Sequence, residues 1–153
     1  MLTLELKVPP LLLALLCGAA MWGITRLTPG FELPVLLRAV TCLLLASIGF
    51  AVIVAGAMSF RRAGTTVNPT KPESSSALVS DGIYRFTRNP MYVGMLLWLA
   101  AFGVWLANGF AFTVCVFFIL YMNRFQIGPE ERALQATFGE SYLAYTKRVR
   151  RWL

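Results

Sequence analysis

The residues of this chain best suited to chemistry fall in two short stretches. One runs through Tyr84, Arg85, Phe86, Arg88, Asn89, Pro90, Met91 and Tyr92, mixing aromatic, cationic and amide groups. The other holds two adjacent acids, Glu130 and Glu131. The 153 residues include no histidine. A Ser-His-Asp triad, a His-ligated zinc or haem and imidazole acid–base catalysis are therefore all excluded. Any reaction must run on carboxylates, Arg, Lys, Tyr, Cys or a bound cofactor. Cys17, Cys42 and Cys115 lie in apolar segments and form no CxxC pair. They read as small buried hydrophobes, with neither a metal site nor a disulfide framework expected.

Both stretches look like helix starts. Pro90 suits a first helical turn, where its missing N–H costs nothing. Asn89 is then the predicted N-cap. The N-terminus of such a helix favours anions and ligand carboxylates, and Gly94 permits close approach. Gly128-Pro129 also predicts a helix start, with Glu130 and Glu131 complementing the dipole of its first turn. Aromatic and Arg residues such as Tyr84, Arg85, Phe86 and Arg88 equally suit an anchor at a membrane interface.

The elements that must position these residues are apolar. Hydrophobic residues make up 58% of the chain and charged residues 14%, against about 45–50% and about 25% in soluble domains. Four segments are long and nearly uncharged: residues 8–25, 35–60, 91–107 and 110–123. A bilayer-spanning helix needs about 20 apolar residues, with a range of about 17–25. The last two segments are short but share the Asn108-Gly109 turn, which predicts a helical hairpin. The excess of 14 Lys+Arg over 7 Asp+Glu gives a formal charge of +7. Most of those cations lie at Lys7, in the loop with Arg61, Arg62, Lys71, Arg85 and Arg88, or after the fourth segment, from Arg124 and Arg132 to Arg151. The positive-inside rule places both termini and the middle loop in the cytoplasm. The positive charge is thus a membrane rim rather than a nucleic-acid surface. The N-terminal segment lacks a convincing cleavage site and is expected to be a retained span.

The predicted fold is all-α and integral to a membrane, with about four transmembrane helices and a C-terminal interfacial amphipathic helix. Residues 1–60 form an N-terminal transmembrane hairpin, and residues 61–153 form a functional core. Residues 64–76 are rich in Thr, Ser and Pro and should be irregular. Asp81-Gly82 marks a turn. Leu134, Phe138, Tyr142, Tyr145, Val149 and Trp152 recur every three or four residues. They predict a helix resting on the cytoplasmic leaflet, bent at Gly139. Ala51, Ala55 and Gly56 allow close helix contact and permit a homodimer.

The run Leu78-Val79-Ser80-Asp81-Gly82-Ile83-Tyr84-Arg85-Phe86-Thr87-Arg88-Asn89-Pro90-Met91-Tyr92-Val93-Gly94 resembles the cofactor motif of the isoprenylcysteine carboxyl methyltransferase family. Glu130-Glu131, followed by Phe138-Gly139-Glu140-Ser141-Tyr142-Leu143-Ala144-Tyr145, resembles that family's C-terminal signature. Related phospholipid N-methyltransferases share the general pattern. The two half-motifs occur in order, separated by a helical hairpin, from about residue 76 onward. The resemblance implies an integral membrane enzyme using S-adenosyl-L-methionine. It assigns Leu78, Val79, Tyr84, Asn89, Pro90, Met91 and Tyr92 to the cofactor, with Glu130 as the binding glutamate and Glu131 beside it. Asn89 stands where the family carries His. Gln126 stands where eukaryotic members carry an Arg that holds the substrate carboxylate, and the nearest Arg is Arg124.

The residues suit such a reaction. A glycine-rich dinucleotide fingerprint and a βαβ pattern are both missing, so the cofactor must sit between helix ends. Methyl transfer from a sulfonium to a carboxylate or thiolate needs in-line approach and no general base. Positioning alone contributes about 7–11 kcal/mol in well-oriented systems. The expected substrate is lipophilic and arrives laterally from an inner or plasma membrane. Arg124 or Arg85 is expected to orient an acidic substrate group, with no metal involved. Alternative readings are a phospholipid-type N-methyltransferase, a sterol-type membrane reductase and a non-catalytic membrane scaffold.

Overall fold

The computed structural model describes residues 4–64 and 77–153. Residues 65–76 of the predicted irregular loop, Lys71 among them, lie outside the described residues. All regular structure among the described residues is helical. The elements are α1 (Pro10–Thr25), α2 (Val35–Arg62), α3 (Pro90–Leu106), α4 (Thr113–Tyr121) and α5 (Gly128–Arg148). Prolines mark the starts of α1 and α3, where a first turn tolerates a missing donor. A short 3₁₀ turn at Gly82–Arg85 follows the predicted Asp81-Gly82 bend, and Gly82 takes the left-handed φ of 62° there.

Among the described residues, two stretches are long and apolar enough to cross a membrane: α2, and the continuous helical path Gly109–Arg148. The other two expected spans, α1 and α3, are apolar but only 16 and 17 residues long. At about 1.5 Å per residue they extend about 24–26 Å. Leu15, Leu36, Leu43, Phe50 and Leu120 point outward from the bundle. Such a wide apolar surface needs an apolar surrounding.

The helices do not pack in sequence order. α2 lies against α3 along most of its length, while α1 packs on α3 and α4. α3 is therefore the central helix. Its crossing with α2 is set by Gly49 and Gly94, each of which meets the other's backbone carbonyl. A Cβ on Gly94 would stand 2.6 Å from the Gly49 oxygen and 2.5 Å from Ile53. Gly56 similarly admits Pro90 and Met91. Gly94 thus permits close approach of a helix. Of the small residues expected to mediate contact, Gly56 does so at this face, whereas Ala51 is exposed.

The hairpin between α3 and α4 forms as expected, with different turn chemistry. Ala107, rather than Gly109, takes the left-handed conformation, at φ 48°. The Asn108 side chain accepts from the Ala111 N–H at 3.1 Å and donates to Thr28 Oγ1 at 2.9 Å. It therefore ties this turn to the loop between α1 and α2. The main core gathers Leu13, Cys17, Met21, Tyr92, Leu99, Phe118, Met122 and Ile127. Cys17 and Cys115 are buried thiols, as their surroundings predict, and Cys42 is half-buried.

The expected fresh helix start at Gly128-Pro129 is not seen. The chain passes from α4 through a wide π turn, Met122–Ile127, straight into α5. The Gly128 N–H donates to the Asn123 carbonyl five residues back. Pro129 has no N–H to offer the Phe125 carbonyl, and that oxygen accepts instead from Leu6 N–H at 3.0 Å. The missing helical bond is replaced from the N-terminal segment, so the helix continues. α5 does break its path at Gly139, with φ 50° and ψ −123°.

Replacing Gly94 by Ala should destabilise the protein by about 1–3 kcal/mol through overpacking. Gly18→Ala, in an open position of α1, should instead stabilise by about 0.5–1 kcal/mol. Thermal unfolding of both variants in one detergent reads the opposite signs directly.

Candidate functional site

The site is built around one carboxyl group. Glu130 follows Pro129 in the first turn of α5, beyond the apolar stretch that ends near Asn123. Its Oε1 accepts the Tyr92 hydroxyl at 2.5 Å and Gln126 Nε2 at 2.6 Å. Tyr92, in the first turn of α3, is 6% exposed, and Gln126, in the π turn, is 2% exposed. Burial pushes the Glu130 carboxyl up to about 7, against the lowering effect of its two hydrogen bonds; Glu131 adds to the rise. Tyr84 is buried in the 3₁₀ turn, edge-on to Phe60 at 5.4 Å between ring centroids. Burial, then Tyr145 and Glu130, push its hydroxyl well above the usual range.

Glu131 points elsewhere, as adjacent residues on a helix must. Arg151 grips it with both arms of its fork, Nε to Oε1 at 3.0 Å and Nη2 to Oε2 at 2.5 Å. Arg88 Nη2 lies 3.1 Å from Oε1. Both Glu131 oxygens are therefore engaged by structural cations. Arg88 Nη1 also donates to the Tyr142 hydroxyl at 3.4 Å. Burial, chiefly, raises Tyr142 to about 12, with Glu131 adding and Arg88 opposing.

Asn89 occupies the residue before α3, but its side chain caps nothing. Its Nδ2 donates to the Arg151 carbonyl at 2.9 Å. The Asn89 backbone N–H donates to Thr87 Oγ1 at 3.2 Å. The tail has captured the amide that the first turn was expected to use.

The other predicted residues divide clearly. Val79 and Pro90 are buried, and Met91 lies against Gly56. Leu78 packs with Tyr142, Tyr145, Val149, Leu134 and Phe138 in a second apolar cluster. Tyr145 also donates to the Tyr84 carbonyl at 2.8 Å. The apolar stripe of α5 is thus largely covered by the loop before α3 and does not lie open to a leaflet. Trp152 turns toward the main core and donates to Asn123 Oδ1 at 3.0 Å. Arg85 is exposed. Arg124 is 65% exposed at its side chain and pairs with Glu5 Oε1 at 2.8 Å, beside Arg132 on Oε2 at 2.7 Å.

Reasoning from sequence missed three partners. Gln126 lies four residues before Glu130, so helical spacing alone could have paired them. Arg88 was legible only as an interfacial anchor. Arg151 is 20 residues from Glu131, and no periodicity reaches that far.

Apolar helices with outward-facing side chains, carrying a polar site gathered at their ends, define a helical membrane protein. The phospholipid methyltransferase family model matches residues 37–141, and the chain belongs to that family. An uncharacterized protein of Haemophilus influenzae is 46% identical over 63 residues, 41% of this chain and all of that protein. A protein-S-isoprenylcysteine O-methyltransferase of Schizosaccharomyces pombe is 36% identical over 83 residues, 52% of this chain and 34% of that protein. Its Arabidopsis thaliana counterpart B is 32% identical over 102 residues, 65% of this chain and 48% of that protein. The chain thus spans between a third and a half of these two named relatives. No solved structure matches it.

Glu131→Ala would leave Arg88 half-buried and unpaired, and should cost about 2–3 kcal/mol in thermal unfolding. The Glu130 carboxyl gives a separate signature. Its folded-state value, about 7, lies above its ordinary 4.5. The folded protein therefore holds the proton more tightly, and this group's contribution to stability falls as pH rises from about 4.5 to about 7. The total loss is about 3 kcal/mol at most. Melting temperatures of wild type and Glu130→Gln across that range should converge toward acid and separate toward neutrality, the variant being the more stable.

Proposed function

We propose that this chain is an integral membrane methyltransferase that uses S-adenosyl-L-methionine and acts on a lipophilic substrate. The observation that carries the reading is the half-buried Glu130 carboxyl, one oxygen of which is fixed by Tyr92 and Gln126. A carboxylate so held, with buried Tyr84 close by, fits a ligand that joins a cationic group to an aromatic ring. Family membership and the names of the eukaryotic relatives support the same reading.

When bound, the cofactor supplies an activated methyl group on a sulfonium. The chain's own residues bind and orient. Glu130 holds the ammonium of the cofactor's amino acid moiety. Tyr92 and Gln126 fix the rotamer of that carboxylate. Leu78, Val79, Tyr84, Pro90 and Met91 line the cofactor's apolar surfaces. Asn89 and Glu131 act one step back, through their bonds to the tail and to Arg88. Exposed Arg85, next to Tyr84 in sequence, orients an acidic group of the substrate, whereas Arg124 is committed to Glu5. The acceptor atom is a carboxylate or thiolate of a lipid-like molecule, and neither needs a general base. N-methylation of an amine would require a proton acceptor, and Glu131 has both oxygens engaged.

In this reading α1, α2, α3 and the α4 stretch cross an inner or plasma membrane as four spans. Both termini and the site face the cytoplasm, following the placement of Lys and Arg. The substrate enters from the bilayer, and the cofactor enters from the aqueous side.

Calorimetry with S-adenosylhomocysteine in detergent tests the site. Wild type should bind, and Glu130→Gln should weaken binding about 10- to 100-fold, as expected for loss of a charge-assisted bond of about 1.5–3 kcal/mol. Wild-type affinity should rise as pH is raised from about 6 to about 7.5, because ammonium binding needs the ionised carboxylate and burial resists it. The variant should show no such rise. Equal affinity in the two proteins at neutral pH would sink the assignment.

A further inference from the structure

Tyr92 and Glu130 meet at 2.5 Å, yet the helices that carry them scarcely pack on each other. α3 is held by α2 and α1, and α5 continues from the π turn. Besides the Tyr92–Glu130 bond, the Arg88–Glu131 ion pair at 3.1 Å joins the residues before α3 to α5, and two such contacts alone leave the helix ends free to shift. Something must hold the start of α3 to the first turn of α5.

The segment Val149–Trp152 does so. After α5 ends at Arg148, the chain turns extended at Val149 and runs back beside residues 87–89. The Arg88 N–H donates to the Arg150 carbonyl at 3.0 Å. Thr87 Oγ1 and Asn89 Nδ2 both donate to the Arg151 carbonyl, at 3.3 and 2.9 Å. On the other side, the Arg151 guanidinium forks Glu131, and Trp152 Nε1 reaches Asn123 in the π turn. Asn89 lies three residues before Tyr92, and Glu131 lies one after Glu130. Arg151 therefore touches a residue in the same helical turn as Tyr92 with its backbone and the immediate neighbour of Glu130 with its side chain. The bidentate fork gives this link a fixed direction that a point charge cannot supply.

We infer that Arg151 is a positioning residue for the cofactor site: it joins the N-terminus of α3 to the first turn of α5 and so fixes the distance between Tyr92 and Glu130. It touches neither partner of that bond and acts through Asn89 and Glu131. The inference rests on the reading of Glu130 as a cofactor-binding residue.

Calorimetry with S-adenosylhomocysteine on the full chain in detergent separates positioning from mere folding, because it returns both the dissociation constant and the number of sites. A purely structural role would lower the number of competent sites and leave the dissociation constant of the remainder unchanged. Arg151→Gln should instead raise the dissociation constant on the order of tenfold or more with the site number preserved, as a small misplacement of binding groups does. Arg151→Lys keeps the charge but not the fork, and should fall between wild type and Gln. An unchanged dissociation constant in Arg151→Gln overturns the inference while leaving the site assignment standing. If Arg151→Gln does not fold, Arg151→Lys decides: a raised constant at full site number supports the inference, and wild-type affinity overturns it. Failure of wild type to bind overturns the cofactor reading, and the inference with it.

Discussion

Pro129 sits in the middle of a continuous helical path, and the arrangement of the polar site depends on how the chain accommodates it. A proline there removes one donor and crowds the preceding turn. The protein answers with the π turn at Met122–Ile127. The widened turn places Gly128 N–H on the Asn123 carbonyl and leaves the Phe125 carbonyl to Leu6. A π turn inserts one residue into the helical repeat and so rotates everything that follows. With that phase, Glu130 faces Tyr92 while Glu131 faces Arg88 and Arg151. Two neighbouring carboxylates thereby enter two different environments.

That separation governs the electrostatics. Glu131 lies among guanidinium groups, where its charge is matched. Glu130 lies among tyrosine and glutamine, which donate to the carboxyl without neutralising it, and burial holds its proton up to about 7. A carboxyl in that setting gains from the arrival of a cation, which makes binding and ionisation one linked event. The histidine-free composition fits this arrangement. The polar work falls to one carboxyl, its hydroxyl and amide partners, and arginines that hold the surroundings in place.

Much of this was legible before any coordinates. Apolar run lengths gave α1 to α4 to within a few residues, because a helix in an apolar surrounding must be apolar on all sides. The turn expected at Gly82 and the bend expected at Gly139 both form, each with the glycine at positive φ. Glu130 and Tyr92, expected from the two motif stretches, meet in one hydrogen bond. The errors share a cause. Asn89 was given a local cap and the α5 stripe a lipid leaflet, because local sequence offers only local partners. In both cases a segment distant in the chain proved to be the real neighbour: Arg151 and the 78–84 loop.

The sequence by itself determined the class of protein: apolar helices, a basic rim, no imidazole chemistry, and two motif stretches that resemble those of a methyltransferase family. These properties depend on composition and on spacings shorter than a helix turn or two. Only the tertiary structure decided which of the two glutamates lies among tyrosine and glutamine and which is locked by guanidinium groups. That choice turns on helix phase after Pro129 and on the return of Val149–Trp152 across the site. Both depend on contacts between residues far apart in the chain, and no local pattern encodes them.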